Sequence, residues 1–303
     1  MHRLRNWQLL AICVLTWGTT WYAITFQIGH TPPEVGVAWR FGLAGGVVLA
    51  MCALRGLPLR FSVRDHALLA LQGGFMYGLS YICIYHAERH VVSGLVAVGY
   101  SASPLISGLG ARLLFGTRVT ARFVFGGLLG LAGVALIFWP EFGKAAGGGA
   151  SPVLGALFTI GSVLLSTVGS LTASRNRTHG LPFWPALGFG MVYGAAVCVL
   201  AAMWQGQGFA PPAVGSWWLA LMYLSLAGSV LTFACFLTLQ ERIGPGPTGT
   251  VGVMTPLLAL LVSMAFEAFR PDLLTLAGAA LAVLGNVLML LPRRVRLEPV
   301  SAA

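Results

Sequence analysis

The chain has 303 residues, of which 57% are hydrophobic and 9% charged; soluble domains carry about 25% charged residues. A soluble fold of this length has too little interior to hide so much apolar surface, which excludes a soluble enzyme or binding module. The net charge of +10 comes from arginines set in short gaps between apolar runs, with Lys144 the only lysine. A nucleic-acid reader gathers its basic residues on one face of a polar domain, so these read as membrane-topology signals instead.

Crossing the hydrocarbon core takes about 20 apolar residues. Ten such runs follow in order: 7–27, 34–54, 66–86, 91–114, 122–139, 152–173, 182–203, 216–238, 246–266 and 272–291. The first run exits into His30-Thr31-Pro32-Pro33-Glu34 with no small-x-small cleavage pattern, so it reads as a retained helix. It holds Trp17, Thr19, Thr20 and Trp21, and the second run holds Arg40. The third holds Tyr77, Ser80 and Tyr81. Tyr77 and Tyr81 are four residues apart and share one helical face, whereas Tyr85, like Trp184, reads as an interfacial anchor. His86-Ala87-Glu88-Arg89-His90 has the look of a metal constellation but lacks the H-E-x-x-H order, and it reads as a solvated loop with no metal.

The fourth run contains Tyr100, Ser101 and Pro104, and the fifth contains Gly126-x-x-x-Gly130. The Gly-rich stretch 141–151 reads as a linker. Among the later runs, the eighth carries Ser229 and Phe233, the ninth carries Gly246, Gly249, Thr250, Met254 and Pro256, and the tenth carries Gly278-x-x-x-Ala282. A short tail, 293–303, ends the chain. All five cysteines lie within apolar runs without a CxxC pair, so neither disulfides nor a zinc site is expected.

Placing the N-terminus in the cytoplasm puts 14 of the 18 basic residues on that side, and only Arg40, Arg89, Lys144 and Arg270 on the other. Both termini are then cytoplasmic. Shifted by 152 residues, positions 94–140 align without a gap on 246–292, with ten identities that include Gly94/Gly246, Pro104/Pro256, Gly126/Gly278, Gly133/Gly285 and Pro140/Pro292. Halves of five helices each, 1–140 and 152–292, enter the membrane from opposite sides. The expected fold is therefore an all-α membrane protein of ten helices in two inverted repeats, an arrangement recurrent in transporters.

Inverted repeats place substrate near the midplane between the halves. Deep aromatics beside hydroxyls suit an amphipathic small molecule. The expected lining is Trp17, Trp21, Tyr77, Ser80, Tyr81, Tyr100, Ser101, Ser229, Phe233, Thr250 and Met254, between helices 1, 3, 4, 8 and 9. Gly94, Pro104, Gly246, Gly249 and Pro256 are the expected hinge positions, because proline removes a helical hydrogen bond and glycine relaxes the backbone. No Asp or Glu falls mid-helix, which favours a facilitator over a carboxylate-based proton antiporter. The mid-helix serines have no His at matching depth, which speaks against an intramembrane enzyme. No cofactor is expected. The expected partners are the bilayer and a small-molecule substrate, and nucleic acid is not among them.

Trp17-Gly18-Thr19-Thr20-Trp21-Tyr22-Ala23-Ile24, then Pro32-Pro33, Arg40-Phe41 and Ala44-Gly45, resemble the opening of the EamA domain. Pro104, then Leu114-Phe115-Gly116-Thr117-Arg118-Val119-Thr120 and the Gly-rich fifth run, resemble its end, and the second half resembles a second copy. The chain departs from the family at Thr117 and Phe269, where members often have Glu. The resemblance, to the drug/metabolite transporter superfamily, covers the whole chain. It implies a bacterial inner-membrane carrier, similar to the amino-acid exporters including the aromatic branch, with a drug or sugar-type carrier as the alternative. On this reading, changing Pro104, Pro256, Gly246 and Gly249 to Ala slows transport in proteoliposomes while folded protein stays in the membrane; unchanged rates contradict a hinge role.

Overall fold

A computed structural model of the chain describes residues 4–116, 119–144, 151–243 and 248–290. Thr117, Gly246, most of the linker and the tail lie outside the described residues. Among the described residues there is no strand, only an isolated bridge between Ile28 and Thr31. The helices are α1 (Asn6–Thr25), α2 (Pro33–Leu54), α3 (Val63–Ala87), α4 (Ser93–Phe115) and α5 (Ala121–Lys144). They continue with α6 (Pro152–Thr178), α7 (Phe183–Trp204), α8 (Gly215–Ile243), α9 (Thr250–Phe266) and α10 (Leu273–Leu290).

Each helix follows one apolar run, with ends shifted by a few residues. Eight are long and apolar enough to cross a bilayer by length and composition. The two others are α9, with 17 residues, and α1, with 20. The threonines of α1 dilute its hydropathy, and Thr16 and Thr20 point inward. Around the outside Leu113, Leu200, Leu219 and Leu273 are 65–84% exposed. Such an apolar belt matches lipid, not water, and the chain is a multi-pass membrane protein.

The helix ends repeat at a spacing of 150 residues. Helices α2 and α7 both have 22 residues and both start after a proline N-cap, Pro32 and Pro182. Both end in a Schellman turn on a left-handed glycine, Gly56 (φ 64°) and Gly206 (φ 66°). In each turn the following N–H, of Leu57 or Gln207, reaches back 2.9 Å to the carbonyl of Cys52 or Ala202. The third helix of each half also contains a π-helical segment, Gly74–Leu79 in α3 and Tyr223–Leu231 in α8.

Small residues carry the helix contacts. Helix α5 lies on α10, with Gly126 facing Gly285 and Gly133 facing Gly278. The equivalent pairs by sequence are Gly126/Gly278 and Gly133/Gly285, so the contacts run crosswise between them. The Gly126 and Gly278 motifs therefore pack within one chain. Gly45 meets the Gly188 carbonyl between α2 and α7, and Gly78 meets the Gly194 carbonyl between α3 and α7. A methyl group at Gly133 would lie 2.5 Å from the Gly278 carbonyl, whereas one at Gly130 meets nothing closer than 3.9 Å. Gly133→Ala is thus expected to destabilise the fold by about 1–3 kcal/mol and Gly130→Ala to leave it nearly unchanged. Thermal unfolding of the two variants in detergent checks the contrast.

Candidate functional site

A cavity of about 440 Å³ lies between α1, α3, α4, α6, α8 and α9. Ten of the expected positions line it: Trp17, Trp21, Tyr77, Ser80, Tyr81, Tyr100, Ser101 and Phe233, with the prolines Pro104 and Pro256. Their placement follows from local backbone irregularities. A π segment leaves carbonyls without helical partners. In α8 the Gly228 carbonyl accepts the Trp17 indole N–H at 3.0 Å, while the Ala227 carbonyl, already bonded to the Thr232 N–H, also accepts the Thr232 hydroxyl at 2.7 Å. Trp17 then meets Phe233 edge-on at 5.2 Å. In α3 the π segment carries Tyr77, which packs on Phe41 at 5.2 Å. Just beyond it, the Ser80 hydroxyl donates to the Ser162 carbonyl and sits 3.0 Å from the Tyr100 hydroxyl. Trp21 leans on Tyr100 with ring centroids 5.3 Å apart.

Helix α4 breaks into a 3₁₀ turn at Tyr100–Ala102, immediately before Pro104, whose ring provides no donor for the preceding turn. The Asn286 side chain of α10 donates to the Ser101 carbonyl there at 3.3 Å. Helix α9 runs unbroken through Pro256. Gly94 serves close approach: a side chain there would strike Ser263 Oγ at 2.8 Å and Leu260 Cα at 2.9 Å. Gly249 sits in a right-handed turn at the entry to α9.

Ser229, Thr250 and Met254 do not line the cavity. The Ser229 hydroxyl donates to the Leu224 carbonyl inside the π segment. Helix α9 turns Gly252, Thr255 and Pro256 inward, and at 100° per residue this places Met254 on the far face, where it is 42% exposed. The sequence reading omitted helix α6, which contributes Ser166, Thr167 and Ser170. The stripe Ser162, Ser166, Ser170 at four-residue spacing was the available signal. It also omitted Thr20, Phe236, Thr255 and Arg40 from the lining.

At the end near the α1–α2, α3–α4 and α9–α10 turns, polar side chains close the structure. Glu34 accepts from Gln205 and Gln207 and contacts His86 Nε2 at 3.1 Å. Glu267 accepts from the Ser93 N–H, the Ser93 hydroxyl and the Ser263 hydroxyl, joining α4 to α9. The Tyr85 hydroxyl donates to Gln27 Oε1 at 2.7 Å. Two expectations change here. Tyr85 is 1% exposed and is no lipid-facing anchor. The 86–90 turn is not simply solvated, since both Glu88 carboxylate oxygens are buried without hydrogen-bond partners. Burial, reinforced by the negative Glu267 and opposed by Arg40, pushes the Glu88 pKa well above the usual carboxylate range. Arg40, which the sequence places early in the second run, is buried within the fold.

At the other end a second cavity of about 310 Å³ shares Met76, Tyr77, Ser170, Phe233 and Phe236 with the first. It reaches Arg177 and Phe183 beside the α6–α7 turn.

The sequence profile of the EamA-like transporter family matches the chain twice, at residues 6–139 and 153–291. The chain is 26% identical over 274 residues to the uncharacterized transporter YvbV of Bacillus subtilis, covering 89% of this chain and 85% of that one. It is 28% identical over 256 residues to the uncharacterized inner membrane transporter YedA of Escherichia coli K12, covering 84% and 80%. A probable terminal-alkyne amino-acid exporter of Streptantibioticus cattleyicolor is 26% identical over 289 residues, covering 94% and 92%. One solved crystal structure superposes with a TM-score of 0.63 at 25% identity, over 93% of this chain and 94% of that one. With helices, cavity and both matched segments in agreement, the chain belongs to the EamA-like transporter family of the drug/metabolite transporter superfamily.

Proposed function

We propose that the chain exports amino acids, aromatic ones among them, and related small metabolites across the bacterial inner membrane by alternating access. The observation that carries this is the central cavity: about 440 Å³, within the range of small-molecule sites. Its walls set Trp17, Trp21, Tyr77, Tyr81, Tyr100, Phe233 and Phe236 among the hydroxyls of Ser80, Ser101, Ser166 and Ser170. Aromatic faces take an apolar body, and hydroxyls take polar ends. The amino-acid exporter named among the relatives supports the substrate class.

We further read the ten helices as two inverted five-helix repeats, 1–140 and 152–292, with both termini cytoplasmic. The two profile matches, the crosswise glycine pairs of α5 and α10, and the paired π segments support this. Under that sidedness the cavity communicates with the cytoplasm beside Arg177, and the polar closure at Glu34, Ser93 and Glu267 is the periplasmic gate. Pro104 and Pro256, both in the cavity wall, remain the proposed hinges, with Gly94, Gly246 and Gly249.

Counterflow of radiolabelled phenylalanine, tryptophan, methionine and threonine in proteoliposomes tests the reading. Flux is expected for the aromatic members, reduced at least about tenfold by Trp21→Ala, which removes a ring that stacking makes worth about 1 kcal/mol or more beyond its area. Absence of counterflow with all four removes the substrate class. The sidedness has its own test. In a cysteine-free background, Ser174→Cys is expected to react with an impermeant maleimide added from the cytoplasmic side, and Ser93→Cys to resist labelling from the periplasmic side. The reverse pattern inverts the assignment.

A further inference from the structure

Among the described residues lining the central cavity, Arg40 alone is charged. It projects from the second turn of α2 and shares the lining with Ile24, Ile84 and Ala97, which lie near the ends of α1, α3 and α4 on the side of the α1–α2 and α3–α4 turns. Its position is built. The guanidinium carbon lies 4.7 Å from the Tyr81 ring centroid and 5.1 Å from that of Phe41. The Arg40 carbonyl accepts the Ser225 hydroxyl at 3.0 Å, which ties α2 to the π segment of α8. Arg40 is 2% exposed, yet its Nε and Nη1 have no hydrogen-bond partner. No described carboxylate forms an ion pair with it.

A buried guanidinium without an anion is strongly disfavoured, and the protein's own candidates are committed or neutralised. Glu267 accepts three hydrogen bonds from Ser93 and Ser263. The Tyr85 hydroxyl donates to Gln27, and its oxygen can accept from the guanidinium within its range, but a neutral phenol is no counter-ion. Glu88 senses both Arg40 and Glu267, but its oxygens contact no donor, and its environment favours the uncharged acid. Arg40 therefore keeps a positive charge at the end of an otherwise neutral, aromatic cavity.

We infer that Arg40 is a carboxylate subsite: the transported molecule places its carboxylate against the Arg40 guanidinium and its apolar body between Tyr81, Tyr77 and Trp21. The inference rests on the small-metabolite reading of this cavity and narrows it to carboxylates. Arginine suits the task because its charge is permanent and its planar N–H donors match a carboxylate. The binding end is also the closed end, so a bound carboxylate contacts the side chains next to the proposed gate.

The test compares acids with their amides on the purified full-length protein. The pairs are phenylalanine and phenylalaninamide, tryptophan and tryptophanamide, and methionine and methioninamide, with 3-phenylpropionate as an acid lacking the amine. Affinity is read from the ligand-dependent rise in unfolding temperature and from inhibition of counterflow. Acids, 3-phenylpropionate included, are expected to bind about 10–100-fold more tightly than amides, the ratio for loss of one charge-assisted hydrogen bond. Arg40→Gln is expected to abolish that preference by weakening the acids alone. Equal affinity of acids and amides in the unaltered protein overturns the subsite while leaving transport of amino-acid derivatives standing. Binding by none of the acids overturns both. Should Arg40→Gln fail to fold, the acid–amide ratio of the unaltered protein still decides.

Discussion

Helices α5 and α10 meet backbone against backbone, Gly126 on Gly285 and Gly133 on Gly278. Lipid tails are as apolar as leucine, so no hydrophobic force drives such helices together, and association depends on close packing instead. Glycine allows it here, and the same device recurs between α2 and α7 at Gly45 and Gly188 and between α4 and α9 at Gly94. The inner helices α1, α3, α4 and α8 approach one another through Trp17, Trp21, Tyr77, Tyr100 and Phe233. Bulky side chains hold those axes apart, and the central cavity is the space that remains. A methyl group inserted in a glycine seam would therefore disturb the frame, and a ring removed from the cavity wall would alter its contents.

Backbone irregularity supplies the polar chemistry inside this frame. A regular helix in lipid keeps its carbonyls to itself. The π segment of α8 and the 3₁₀ turn of α4 each present one to another helix. The Gly228 carbonyl holds the Trp17 indole and the Ser101 carbonyl takes the Asn286 amide. The serine and threonine hydroxyls, by contrast, mostly satisfy their own helix, as Ser166 does with the Val163 carbonyl. The cavity therefore presents ring faces and a few hydroxyl edges, with one guanidinium at its closed end. Glu88 feels the charges of both that guanidinium and Glu267, which with Ser93 and Ser263 joins α4 to α9. The contents of the cavity and the closure of its end thus meet in one small region.

Much of this was legible from residue order. Apolar run length marks where helices lie, because in a bilayer a helix must span a fixed thickness. Glycine and proline spacing exposed the relation between 94–140 and 246–292, since those residues fix backbone geometry where leucine does not. The deep aromatics of helices 1, 3 and 4 stood out against an apolar background, and they do line the cavity. The failures are as instructive. Met254 is expected at the site from its place beside Pro256, but a helix presents a given face only every three or four residues, and α9 turns Thr255 and Pro256 inward. Helix α6 was passed over because its serines look like ordinary small residues until neighbouring helices bring them to one wall.

Composition, charge distribution and glycine spacing thus establish a membrane protein of paired halves with an aromatic-rich interior, because these traits answer to lipid and backbone geometry alone. Which residues share a wall, and which stand alone, depends on helix rotation and contact between residues more than a hundred positions apart. Arg40 and Glu88 illustrate the difference. In the sequence one is a charge near a helix start and the other part of a short polar turn. Only folding removes both from water without joining them, and that burial turns Arg40 from a topology signal into a charge facing the cavity.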